Sequence, residues 1–239
     1  MRRGLVRGPD RGLQTLGRHR AAPVVDTGRF EAFSDGVFAV AITLLALDLT
    51  VKGPDVAGSL ASKLGGEWPA FAGYVVSFLT IGIIWVNHHA LVRNFSEIDR
   101  TLLFLNLLLL FFVVTIPFAT STAAAYLRGD HADAALAVAV YQGVFEGMSI
   151  SFGLLFWWAI RRDHLKVALT PEQGRRASIR FGLGNLGYIA GIGIAFASPL
   201  ASLVLAGLVA VYYIFEQTPS SPQPALAPGG TPPEDQPRP

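Results

Sequence analysis

Long apolar runs separated by short polar connections dominate this chain. Six stand out: Phe30–Leu49, Trp68–Val92, Leu102–Ala119, Ala134–Ile160, Ile179–Ala197 and Pro199–Phe215. Pro117 interrupts the third near its end. Crossing about 30 Å of hydrocarbon takes roughly 20 residues of helix. Barrel strands would alternate polar and apolar over about ten residues, whereas these runs are continuously apolar. In lipid the backbone must satisfy its own hydrogen bonds, which makes such runs helical. The pattern therefore predicts an all-α membrane protein with six transmembrane helices.

Composition supports this, since 51% of the 239 residues are hydrophobic and 15% are charged. A soluble domain carries about 25% charged residues. Residues 1–28 are basic, with Arg2, Arg3, Arg7, Arg11, Arg18 and Arg20 among Gly, Pro and polar residues. No apolar run follows them, so they read as a disordered tail and not as a secretory signal. Residues 218–239 are Pro-rich and read as a second disordered tail. Between the tails, residues 29–217 form the transmembrane domain. Of the 19 Lys and Arg, all but Lys52, Lys63 and Arg128 fall on the side of the termini. The positive-inside rule then makes both termini cytoplasmic. The basic tail would also attract anionic membrane lipid. This one-sided charge argues for topology and not for nucleic-acid binding. There is no Cys, so disulfides and thiolate metal sites are excluded.

The first run carries the most unusual chemistry. Asp35 lies about one and a half turns inside its start. A carboxylate at that depth is expensive and points to function, with a partner nearby. The alternative is an interaction with the helix N-terminus, which accounts for Glu31 better than for Asp35 because the dipole effect fades after the first turn. Candidate partners close the second run, Trp85-Val86-Asn87-His88-His89, which returns to the same membrane face. Trp85, His88 and His89 are spaced to share one helix face. His88 and His89 diverge by about 100° as adjacent helix residues, which argues against a metal pair. Val40, Thr43, Leu44 and Leu47 form one stripe at i, i+3, i+4, i+7, which by itself is compatible with ordinary packing.

Arg29-x-x-x-Phe33-Ser34-Asp35-Gly36, followed by Phe38-Ala39-Val40-Ala41-Ile42-Thr43-Leu44-Leu45, resembles the signature of bacterial TMEM175-type potassium channels. Trp85-x-Asn87-His88-His89 resembles that family's second motif. The resemblance implies a homotetramer with a central pore lined by the first helix. It implies a constriction of apolar side chains in place of a carbonyl-lined filter, and this sequence has no Thr-Val-Gly-Tyr-Gly string. Val40 then falls at the narrowest ring, where relatives carry Ile or Leu. Thr43, Leu44 and Leu47 follow along the pore. By the same resemblance Arg29, Ser34, Asp35, Asn87 and His88, flanked by Phe33 and Trp85, form a network that holds the first helix upright. Asp48, at the outer end, would gather cations at the pore mouth.

The expected activity is passive potassium permeation with no cofactor and no metal beyond the permeating ion. A proton- or cation-coupled carrier and a non-conducting membrane scaffold are the alternatives. Glu146, mid-span in the fourth run, would serve the carrier, or be a protonated hydrogen-bonding group with Asn106, Asn185 or Tyr188 as partner. Gly187-x-x-x-Gly191 permits close helix contact. No catalytic constellation is present: Ser34 and Asp35 point apart on a helix and no oxyanion hole accompanies them.

Overall fold

The computed structural model describes residues 26–51 and 56–215. Among these residues the chain is helical, with one isolated bridge between Phe95 and Leu165. Helix α1 spans Thr27–Leu44 and tightens into a 3-10 turn at Leu45–Asp48. A short α2, Leu60–Gly66, precedes α3, Trp68–Arg93. Then come α4 (Arg100–Tyr126), α5 (His131–Arg161), α6 (Pro171–Ala197) and α7 (Pro199–Phe215).

Five of these, α1 with its 3-10 turn and α3 to α6, are long and apolar enough to cross a membrane. Five of the six expected spans are met by these helices. The sixth, α7, has 17 residues. At 1.5 Å per residue that is about 25 Å, short of the hydrocarbon thickness.

Side-chain caps set most helix starts. Asp26 accepts from Gly28 N–H, Asp99 from Leu102, Asp130 from Ala132 and Thr170 from Gln173. Each such cap contributes about 1 kcal/mol. Asp26–Gly28 thus belong to the helical domain, although the sequence assigned them to the tail. The rest of the first expected tail, residues 1–25, and the whole of the second, residues 218–239, lie outside the described residues. Helix α6 begins at Pro171, not at Ile179, because Thr170 and Gln173 make a reciprocal capping box with Pro171 in the first turn. Helix α4 continues through Pro117 to Tyr126. In a buried bundle neighbouring helices and hydroxyl groups tolerate the missing N–H, and Thr115 and Thr120 bond back to Phe111 and Ile116.

Helix α5 is the central post, packed against α4, α6 and α7. Its hydrogen-bonding groups face inward: Gln142 donates to Ser202 of α7, and Ser149 donates to Asn185 of α6. The α6 glycines let these contacts close. A Cβ on Gly191 would sit 2.6 Å from Gln142, and one on Gly187 2.8 Å from Val209. Helix α1 packs on α3 and α4 at the flank.

At the end that carries Arg93, Arg100, Arg161 and Arg162, two loops are clasped together. Ser96 N–H donates to His164 O, and Lys166 N–H to Asn94 O. His164 places Nδ1 3.2 Å from Glu97 and Nε2 3.1 Å from Asp99. Burial pushes the Asp99 carboxyl up, but hydrogen bonds from Leu102 N–H, the Trp158 indole and His164 outweigh it and hold Asp99 below the usual carboxylate range. A lowered folded pKa gives stability that is present above the unfolded value and lost as pH falls through the folded one. Asp99→Asn should therefore loosen residues 94–99 and 163–167 at neutral pH. The native clasp should give way only below the ordinary carboxylate range. Hydrogen exchange of both loops at pH 7 and at pH 3 checks this; equal protection in the two proteins at pH 7 would refute it.

Candidate functional site along the first helix

Helix α1 has two unlike faces. Phe30, Ser34, Phe38, Ala41 and Leu45 recur every three or four residues and are buried. They face α3 and α4. The opposite face is open. Val40 is 54% exposed, Leu44 40% and Leu47 71%, and Thr43 and Asp48 are exposed as well. Phe33, at 55%, lines up with this stripe seven residues before Val40 and not with the inter-helix network. The sequence placed it in that network, but its heptad spacing puts it on the open side.

The buried face carries a chain of hydrogen bonds. Asn106 of α4 donates from Nδ2 to Ser34 Oγ at 2.9 Å. Ser34 in turn donates to Phe30 O at 3.0 Å. The Asn106 oxygen lies 2.8 Å from His88 Nε2, so His88 donates there. His88 Nδ1 has no hydrogen-bond partner, which places the imidazole proton on Nε2. The ring is held between Phe30 and Phe38, with centroids at 6.3 and 5.4 Å.

The link between Ser34 and His88 is therefore Asn106, and not Asn87. Asn87 donates to Ile83 O of its own helix and lines a small cavity of about 30 Å³ with Ser149 and Tyr188. Adjacent helix positions point about 100° apart, so Asn87 and His88 cannot both face α1. The same geometry splits the expected shared face, with His88 in the core and Trp85 and His89 near the surface. Trp85 Nε1 donates to Asp35 Oδ1 at 2.9 Å. His89 Nδ1 lies 3.0 Å from Glu31 Oε1. Arg29 is exposed and lines a groove with Arg100, Phe33 and Phe104. Asn106 was legible in the sequence only as a polar residue in an apolar span, which by itself calls for a partner.

At the far end, Asp48 and Glu67 share a cavity of about 380 Å³ with Tyr74, Thr120 and Arg128. Arg128 donates to Gly66 O at 2.8 Å, which ties the turn after α4 to the end of α2. Glu146 is 8% exposed, and its Oε2 has no hydrogen-bond partner among the described residues. Of the partners proposed for it, Asn106 is engaged by Ser34 and His88, and Asn185 by Ser149.

Asn106→Leu removes two bonds and strands two buried polar groups. Each stranded group costs about 1–3 kcal/mol. The variant should unfold several degrees below the native protein, and Ser34→Ala, which breaks one link, should fall between them. Thermal unfolding in detergent checks the order; an unchanged midpoint for Asn106→Leu would refute the chain.

Known proteins share this arrangement. The sequence model of a family described as endosomal/lysosomal potassium channel TMEM175 matches residues 29–117, from α1 into α4. A Streptomyces collinus protein named a potassium channel is 48% identical over 85% of this chain and 98% of its own length. The mouse endosomal/lysosomal proton channel TMEM175 is 41% identical, but over 43% of this chain and 22% of its own. A crystal structure of a lysosomal potassium-selective channel TMEM175 homolog from Chamaesiphon minutus superposes with a TM-score of 0.70. It is 32% identical and covers 79% of this chain and 96% of that one. These proteins are channels and not enzymes. A match over nearly the full length of a relative, on the same helical frame, makes this multi-pass membrane chain a member of the TMEM175 family.

Proposed function

We propose that this protein is a potassium-permeable channel, a homotetramer whose four α1 helices surround the conduction path. Its family membership supports potassium as the permeant ion. The observation that carries the pore reading is the exposed stripe of Val40, Thr43, Leu44 and Leu47, on the side of α1 away from its buried residues Phe30, Ser34, Phe38 and Ala41. A fourfold axis beside it would stack rings of apolar side chains around one ring of hydroxyls. Apolar rings gate by dewetting. Thr43 donates its proton to Ala39 O and Val40 O, at 3.0 and 2.9 Å. Its oxygen lone pairs are then left for a partly dehydrated cation.

In this reading α7 completes a sixth crossing and both termini lie in the cytoplasm of a plasma-membrane protein. Basic residues near the ends of α1, α3 and α5 face anionic lipid there. Arg29, Ser34, Asp35, Trp85 and His88 hold α1 in place, now with Asn106 as the joint. Asp48 and its three copies raise the cation concentration at the outer mouth.

The purified protein in liposomes should carry potassium down its gradient without a counter-gradient, and native mass spectrometry should give four chains. A requirement for a proton gradient would replace the channel with a carrier. A folded tetramer with no flux would make it a scaffold. Val40 is shorter than Ile or Leu and leaves a wider ring. Val40→Ile should therefore shift the bi-ionic reversal potential toward greater potassium preference; an unshifted potential would remove Val40 from the constriction.

A further inference from the structure

Glu31, Asp35 and His89 converge where α1 and α3 meet near their arginine-bearing ends. One ligand atom from each lies within 4.8 Å of the other two. We propose that these three side chains bind a divalent transition-metal ion, with zinc as the fitting example, and that the ion joins α1 to α3.

The donor set suits such an ion. Imidazole nitrogen with carboxylate oxygen is a zinc ligand set, with bonds of about 2.0–2.2 Å and an open position left for water. Tetrahedral bonds of that length put ligand atoms roughly 3.3 Å apart. His89 Nδ1 and Glu31 Oε1 are already 3.0 Å apart. Glu31 and Asp35 are four residues apart, so both reach the same side of α1.

Two further observations favour an ion over a plain contact. His89 Nδ1 is a buried atom without a hydrogen bond, although the Glu31 carboxylate is beside it, so their approach is out of line for one. A cation between them satisfies both lone pairs. The ligands are also held from behind. The Trp85 indole donates to Asp35 Oδ1, and the Trp85 and His89 rings pack at 5.8 Å. Such outer contacts orient metal ligands and tune their affinity.

The loop cluster at His164 shows what a non-chelating arrangement looks like. There the two carboxylates address opposite ring nitrogens, so one ion cannot reach all three groups. At His89 a single ring nitrogen lies within 4.8 Å of an oxygen from each carboxylate. His88 takes no part, since its Nε2 is bound to Asn106.

The test reads binding and so stands apart from conduction. Tag-free, chelator-treated protein is titrated with Co²⁺ and followed by visible absorption, with Zn²⁺, Mg²⁺ and Ca²⁺ as competitors. One Co²⁺ per chain should bind, displaced by Zn²⁺ and not by a hundredfold excess of Mg²⁺ or Ca²⁺. Glu31→Gln and His89→Gln should each weaken binding at least tenfold, while His131→Gln, at the opposite end of the bundle, should leave it unchanged. Cu²⁺ bound to the unaltered protein should show one nitrogen ligand by electron paramagnetic resonance, a readout that needs no variant to fold. The proposal is overturned by no Co²⁺ spectrum, by a spectrum that survives both substitutions, by equal competition from Mg²⁺ or Ca²⁺, or by any nitrogen count other than one.

Discussion

One hydrogen-bonded joint decides how this molecule presents its first helix. Ser34, Asn106 and His88 come from three helices and meet in the buried interior of the bundle. Bulk water does not reach them there, and a buried polar group left unpaired costs about 1–3 kcal/mol. Their mutual bonds fix the rotation of α1 about its own axis. With that rotation set, Phe30, Phe38, Ala41 and Leu45 turn inward and the stripe from Phe33 to Leu47 turns outward. A rotation of one residue position, about 100°, would bury Val40 and Leu44 in one sense or Ala39 and Ile42 in the other, and strand Ser34.

The rest of the bundle serves as a foundation. Helix α5 is buried along most of its length, and α6 and α7 close on it through glycine contacts and the Gln142–Ser202 bonds. Helix α4 connects that foundation to α1, touching α5 on one side and α1 on the other. Asn106 therefore sits on a helix that can transmit the position of the post to the exposed flank. The clasp of Glu97, Asp99, Trp158 and His164 fixes the same helix at its start.

Much of this was legible in the sequence. Five long apolar runs became five membrane-length helices, because continuous apolarity leaves a chain in lipid no other way to satisfy its backbone. The errors lay where local chemistry overrides hydropathy. Thr170-Pro171-Glu172-Gln173 is a capping signal readable without a structure, yet a hydropathy boundary at Ile179 passes over it. Asn87 and His88 were both placed in the network by the family resemblance, although a helix separates adjacent side chains. Asn106 carried a real signal in its isolation among leucines, but sequence could not say which helix it would answer. The joint draws on helices 18 and 72 residues apart along the chain, and such distances are settled only by packing.

The joint also has a direction. His88 donates to Asn106, Asn106 donates to Ser34, and Ser34 donates to a backbone carbonyl of α1. Every proton points the same way, from α3 through α4 into α1. A flipped amide at position 106 would set donor against donor on one side and leave an acceptor facing a hydroxyl already committed on the other. A carboxylate there would have nothing to give to Ser34. The connection is thus polarised like a sequence of one-way couplings. A change at Asn106 breaks it at two places together, which gives the first helix a defined seat in place of a range of tilts.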